Sequence, residues 1–347
     1  MTGETSLPGP DVHDWLRTVP KLELHLHLEG SMSVATVRSL IERHGVDPTP
    51  IWPDGLPDSF SFEGFPDFSR QFLFGLALLR SGEDLASITE DLAATLAAQQ
   101  VRYAEVTTTA FTHFRPLDGR AGMSPTEYRH GLDEGRRRAA AHGVAIGWVI
   151  DIPRDLESPG QQVTVGFLDS SEAPDGLVAM GLGGNEVGNP AGPYADDFAR
   201  ARAMGLPAVP HAGETDGPAS VRAAVDDLGA VRIGHGIRSV EDGDLLDELA
   251  ARGILLEVCP TSNDLLQIVE TIDDHPLSQL VEAGVPVCLN TDDPGWFAND
   301  LTSELVVASE RLGVDLEGHR TMLLDAVGAS FLGGQGKADL AAEIAAH

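Results

Sequence analysis

A closed barrel of eight parallel β-strands is the fold this sequence predicts, and two observations predict it. Eight short aliphatic or β-branched runs recur along the 347 residues, and Ala/Leu-rich amphipathic segments lie between them. The runs are almost continuously apolar rather than cleanly alternating, which is the pattern of parallel strands covered on both faces. Strand and helix alternating through eight units suit an α/β (β/α)₈ TIM barrel, a fold that spans ~250 residues or more as a single domain. An open doubly wound sheet is the rival, but its first strand usually enters a glycine-rich nucleotide turn. Here the first strand enters HLHLEGS instead, and the whole chain, 1–347, is expected to be one barrel domain.

Taken in order, residues 1–14 (MTGETSLPGPDVHD) read as a tail, with no basic region followed by an apolar run. Strand one is LELHLHL (22–28). Residues 29–80 form an excursion outside the repeat, and its stretch 51–75 holds seven of the chain's 19 aromatic residues. Such a stretch at the barrel mouth serves either as a lid over a flat apolar substrate or as a satellite core on the rim. A helix over 81–100 leads to strand two, VRYAEVTTT (101–109), and a helix over 126–143 leads to strand three, VAIGWVID (144–151). Strand four is LVAMGL (177–182). A helix over 194–205 precedes strand five, LPAVPHA (206–212), and strand six is VRIGHG (231–236). A helix over 242–253 leads to strand seven, GILLEVCP (253–260), and strand eight is VPVCLNT (285–291). Most of these helices end in Gly, the residue that closes a helix in the left-handed conformation. From 301 to 347 two or three C-terminal helices are expected to wrap the barrel without carrying chemistry.

Formal charge is −31, with acidic residues spread along the chain. That excludes nucleic acid and anionic membrane as partners. No stretch reaches the roughly 18 apolar residues of a membrane span, so a soluble, cytoplasmic protein is expected. Cys259 and Cys288 are too few for a disulfide framework and lack zinc-thiolate spacing; they read as buried thiols.

The chemistry starts at KLELHLHLEG (21–30). With 12 histidines in the chain, roughly 0.4 His-x-His pairs arise by chance, so the pair needs context. Residues i and i+2 of a strand share a face. His25 and His27 therefore point together, into the barrel and near the C-terminal end where such active sites are built. Two imidazoles in an apolar lumen are costly without partners, and a metal supplies one. His211 ends strand five, His235 ends strand six and Asp292 ends strand eight. Three of these imidazoles with the carboxylate, and no thiolate, suit a catalytic Zn²⁺, with Fe²⁺, Co²⁺ and Mn²⁺ also compatible. Glu214, three residues past His211, is placed to donate or shuttle a proton, its alternative being a helix cap. The metal would lower the pKa of a bound water from about 15.7 to about 7 and so make the nucleophile. The cytidine-deaminase type of zinc site is excluded, because neither cysteine belongs to a Pro-Cys-x-x-Cys.

Together these motifs resemble the adenosine deaminase family of metal-dependent aminohydrolases: PKLELHLHLEGS (20–31), GLGGNE (181–186), HAGE (211–214), RIGHG (232–236), CPTSN (259–263) and NTDDP (290–294) stand in family order. The resemblance implies one zinc ion held by His25, His27, His211 and Asp292. It further implies that Asp292 helps deprotonate the water, Glu214 protonates purine N1, and His235 orients the attacking hydroxide. Asp293 would hold N7, and the Gly184 amide N3, of a small-molecule purine nucleoside. A 6-aminopurine and water would become a 6-oxopurine and ammonia.

The sugar side departs from the family. Well-known adenosine deaminases carry Asp-Leu-Ala-Gly-Asp-Glu where this chain has Gly181, Gly183 and Asn185, and adenine-specific relatives carry Ser-Ser-Glu over 184–186. A third branch, acting on 6-amino-6-deoxyfutalosine, an adenine nucleoside extended by a benzoate in menaquinone synthesis, is similar in GLGG-x-E and FTHFRP (111–116). Breadth of the family puts adenosine or deoxyadenosine first as the expected substrate, with aminodeoxyfutalosine the alternative, adenine behind them and a non-catalytic homologue last. Arg115 would meet the benzoate carboxylate. A binuclear lactonase or phosphotriesterase is disfavoured because strand four ends without a bridging Lys. Strict alternation in strand one turns Glu23 inward beside His25 and His27, with Leu22, Leu24, Leu26 and Leu28 facing the helices. It leaves Glu23 with no partner that the sequence identifies.

Overall fold

Eight strands form in the protein, here as a computed structural model that describes residues 12–117, 119–156 and 160–347. They are β1 Lys21–His27, β2 Val101–Thr108, β3 Ala145–Pro153, β4 Leu177–Gly183, β5 His211–Ala212, β6 Arg232–His235, β7 Leu255–Val258 and β8 Val287–Leu289. β1 to β4 make one parallel sheet and β5 to β8 another, each in chain order. Single parallel bridges close both seams, Met180 with Ala208 and Leu26 with Asp292. The expected TIM barrel is therefore the fold. The LPAVPHA run keeps a ladder only at His211–Ala212, since Pro207 and Pro210 bring no amide to it.

The expected helices appear as Gly82–Ala98, Pro125–Ala141, Ala195–Ala203 and Gly243–Arg252. Ser81, Ser124 and Asp242 each accept the amide three residues on, satisfying an N-terminal donor that the helix itself leaves open. Part of the expected tail is structured: Val12–Thr18 is helical with Trp15 and Leu16 buried, while residues 1–11 lie outside the described residues. The aromatic excursion does two jobs. Phe60 stacks on Trp296 at 4.2 Å and Trp52 meets Phe74 at 5.3 Å, forming a satellite core. Phe65, Phe68 and Phe72, on the helix Phe65–Leu78, instead line the cavity at the barrel mouth.

Three C-terminal helices form, Leu301–Arg311, Leu316–Ala329 and Gly334–Ala346. Between the last two, Phe331 packs against Val149, Ala179 and Val209 of the barrel wall. Its ring also lies 4.4 Å from the Arg232 guanidinium. Arg232 is itself buried between Glu105 and Glu257 and donates to the Ala329 carbonyl at 2.9 Å. The C-terminal chain thus contributes to the base on which the site stands. Among the described residues no helix is long and apolar enough to cross a membrane.

One expectation about β1 is overturned. Glu23 pairs with Ala104 and Leu26 with Val106, so three residues of β1 span two of β2 and the alternation breaks between them. Leu24 N and His25 N both donate to Asn290 Oδ1, at 2.9 and 3.1 Å, as successive amides do across such a bulge. Glu23 therefore does not share the face of His25. It accepts from Thr291 N at 2.8 Å and from Thr291 Oγ1, and its electrostatic neighbours are Glu304 and Asp300 rather than the metal-site groups.

Candidate metal centre and active site

The barrel's closing seam is also the floor of the site. His27 N donates to Asp292 O at 2.8 Å and Asp292 N to His25 O at 3.2 Å, so β1 and the end of β8 fix three candidate ligands by main chain alone. β5 adds His211. Donor atoms of His25, His27, His211 and Asp292 all lie within 4.8 Å of one another. Asp292 Oδ1 is 3.4 Å from His25 Nε2 and 3.3 Å from His27 Nε2, and His27 Nε2 is 3.2 Å from His211 Nε2. A tetrahedral ion with ligands at about 2.0–2.1 Å asks for edges of about 3.3–3.4 Å. His25 Nε2 is buried with no hydrogen-bond partner, which is the state of a donor waiting for a cation. The residues fit a zinc-like divalent ion.

Groups that the sequence reading passed over orient these ligands. Glu257 Oε2 accepts a hydrogen bond from His25 Nδ1–H at 2.9 Å, which leaves the Nε2 lone pair facing inward. Burial alone would raise the Glu257 carboxyl, but Arg232 beside it holds it below the usual range. Ser262 Oγ donates to Asp292 Oδ2 at 2.6 Å. A carboxylate inside the apolar run LLEV was the one signal for Glu257; Ser262 and Asn290 sit in quoted motifs without anything to single them out. Cys259 is buried, as expected, near His235 and Asp292, and burial pushes its thiol well up.

His235 and Asp292 hold φ at +59° and +66°, a left-handed conformation costly for residues with a Cβ and concentrated at functional sites. His235 Nε2 lies 3.7 Å from Glu214 Oε2 and 3.9 Å from Asp292 Oδ2. Burial, with Asp292 and Glu186 nearby, raises Glu214 well above the ordinary carboxylate range, so it keeps a proton to give. The capping alternative goes to a different residue. Glu186, at the end of GLGGNE, accepts from the amides of Gly213, Glu214 and Thr215 at 2.8, 2.8 and 2.9 Å, and from Ser220 Oγ. It thereby fixes the loop and leaves the Glu214 side chain on the cavity wall.

Gly184 and Asp293 also line the cavity. Gly184 has φ +87°, and a Cβ there would lie 2.3 Å from Asp155 Oδ1. Asp293 Oδ1 is buried and unpartnered. Burial and then Asp292 push the Asp293 carboxyl up to about 8. Arg115 is not on the cavity wall. Its guanidinium sits 5.6 Å from the Phe111 ring, just past the wall residue Thr112, and makes no ion pair among the described residues.

The sequence profile of the adenosine deaminase family matches residues 20–347. A protein of Streptomyces avermitilis named aminodeoxyfutalosine deaminase is 42% identical over 97% of this chain and 93% of its own length. Rhodospirillum rubrum adenine deaminase is 34% identical over 96% and 98%. The crystal structure of adenine deaminase from Arthrobacter aurescens superposes with a TM-score of 0.87 at 27% identity, covering 95% of this chain and 99% of that one. Family profile, full-length relatives and site geometry agree, and the chain belongs to the adenosine deaminase family as a hydrolytic deaminase.

Proposed function

We propose that this chain hydrolyses the 6-amino group of 6-amino-6-deoxyfutalosine, releasing ammonia. The observation that carries the substrate is the 42% identity, over nearly the full length, to proteins of that name in two Streptomyces species, against 34% for an adenine deaminase. It moves adenosine, first in expectation from the sequence, behind the alternative. The similarity of GLGG-x-E and FTHFRP to that branch supports the same reading.

His25, His27, His211 and Asp292 would hold zinc, which when bound lowers the pKa of a coordinated water and readies it for attack. Glu214 gives its proton to the ring nitrogen N1, making C6 electrophilic. His235, whose Nε2 faces both Glu214 and Asp292, orients the attacking oxygen and stabilises charge as C6 becomes tetrahedral. Asp292 Oδ2, held by Ser262, accepts the proton that the water loses. Asp293 takes the N7 edge and the Gly184 amide the N3 edge, while Phe65, Phe68 and Phe72 cover the flat base. Arg115, three residues past the wall residue Thr112 in the chain, is the cation that would meet the substrate carboxylate.

Ammonia release from aminodeoxyfutalosine, adenosine, 2′-deoxyadenosine and adenine by the zinc-loaded protein tests this. Aminodeoxyfutalosine should show the highest kcat/KM; preference for another purine overturns the substrate, and no turnover of any overturns the deaminase chemistry. Glu214→Gln should keep its zinc and lose about 10²–10⁴-fold in kcat. Arg115→Ala should lower kcat/KM for aminodeoxyfutalosine relative to adenosine, and an unchanged ratio removes Arg115 from recognition.

A further inference from the structure

His235 presents Nε2 to the reaction centre, and its other nitrogen faces a buried polar chain that the mechanism above does not use. The chain begins at a group with only one sense. Leu277 N–H donates to His275 Nδ1 at 3.2 Å, and a backbone amide cannot accept, so His275 carries its proton on Nε2. That Nε2 lies 3.2 Å from Asn263 Oδ1 and donates to it. The Asn263 amide is thereby turned so that Nδ2, 3.4 Å from His235 Nδ1, donates in its turn. His235 Nδ1 must accept, and the ring hydrogen is left on Nε2.

We infer that Asn263 and His275 are positioning residues that lock His235 in the Nε2–H tautomer, so that it meets the reacting oxygen as a donor. The inference rests on the deaminase reading for its catalytic consequence, though not for the tautomer itself. All three side chains are buried, at 1% exposure for His235, 0% for Asn263 and 4% for His275, so water does not scramble the chain of donors. The main chain of Asn263 is anchored on both sides: its backbone N–H donates to the Cys259 carbonyl at 3.0 Å, and its backbone carbonyl accepts from the Ile268 N–H at 2.8 Å. Burial, then the nearby His235, pushes His275 down to about 4, which keeps it neutral with a single ring proton. The opposite tautomer would aim a lone pair from Nε2 at the Asp292 carboxylate and would remove the donor from the centre.

The direct test is long-range ¹H–¹⁵N correlation of the histidine ring nitrogens in ¹⁵N-labelled, zinc-loaded protein. His235 should show a bare Nδ1 and a protonated Nε2; a protonated Nδ1 overturns the inference. Asn263→Asp puts an acceptor where the donor was. It should move the His235 proton to Nδ1 or add a second one, keep the zinc, and lower kcat by about 10²-fold while KM changes by less than about threefold. Unchanged kcat with an unchanged tautomer overturns it as well. Should that variant fail to fold, His275→Leu and His275→Gln decide. Leu removes the donor and should cost kcat, whereas Gln supplies an N–H and should restore most of it; equal losses in both would reduce the chain to packing. The correlation needs no substrate, so absence of turnover on every purine would sink the deaminase reading and leave the tautomer to be judged separately.

Discussion

Gly30 directly follows the His-x-His-x-Glu run, and as one of 38 glycines it gives no sign in the sequence of being special. In the fold a Cβ on Gly30 would lie 1.7 Å from Asp293 Oδ1, a side-chain atom that something must displace. Gly30→Ala should therefore push the Asp293 side chain from its place on the cavity wall while leaving the candidate metal ligands in place. A displacement of about 1 Å at a positioning group can cost about 10²-fold. Steady-state kinetics should show kcat/KM down by about that factor with zinc content unchanged, and wild-type kinetics would clear Gly30 of any role. The ligands themselves are a different case. His25, His27, His211 and Asp292 announce themselves because imidazoles and carboxylates at strand ends have few cheap structural uses. Glu257, Ser262 and Asn263 do not, because their work consists of hydrogen bonds to partners distant along the chain.

At the scale of elements, the bulge in β1 decides where Glu23 sits. Strict alternation would turn Glu23 to the face of His25 and His27; one extra residue moves it to Thr291, near the C-terminal helix that carries Glu304. Glu304 is buried and accepts from Thr261 N at 3.1 Å and Asn299 Nδ2 at 2.6 Å. Burial nevertheless pushes it up to about 7. Its folded-state pKa therefore exceeds its unfolded value, the folded state binds the proton more tightly, and stability contributed below about pH 4.5 is lost as pH rises towards 7. Glu304→Gln, which carries no titrating proton, should gain on the wild type by about 3 kcal/mol between pH 4.5 and pH 8. Urea unfolding of both proteins at several pH values measures this, and a difference that stays constant with pH would show that Glu304 does not titrate there.

For the molecule as a whole, a net charge of −31 on 347 residues makes the folded surface repel itself. Salt screens such repulsion over about 10 Å at 0.1 M. Raising sodium chloride from low concentration to 0.2 M should therefore raise Tm, by about 3 °C. A fall in Tm over that range would mean that the surface ion pairs outweigh the repulsion. The overall charge belongs to the surface, whereas the cavity wall carries its own acidic set, including Asp151, Asp155, Glu214, Asp292 and Asp293.

Legibility follows the range of the physics involved. The eight apolar runs, the helices between them and their closing glycines could be read because periodicity and capping act within a few residues. Strand five was overdrawn because Pro207 and Pro210 weaken a ladder whose partner strands lie elsewhere in the chain. By itself, the sequence determined the barrel, the donor set for a divalent ion and the family to which the chain belongs. Only the tertiary structure decided which way Glu23 faces, which carboxylate braces His25 and which residues set the proton on His235. Those outcomes depend on bulges and hydrogen-bond directions between residues up to 268 apart, and no local pattern encodes them.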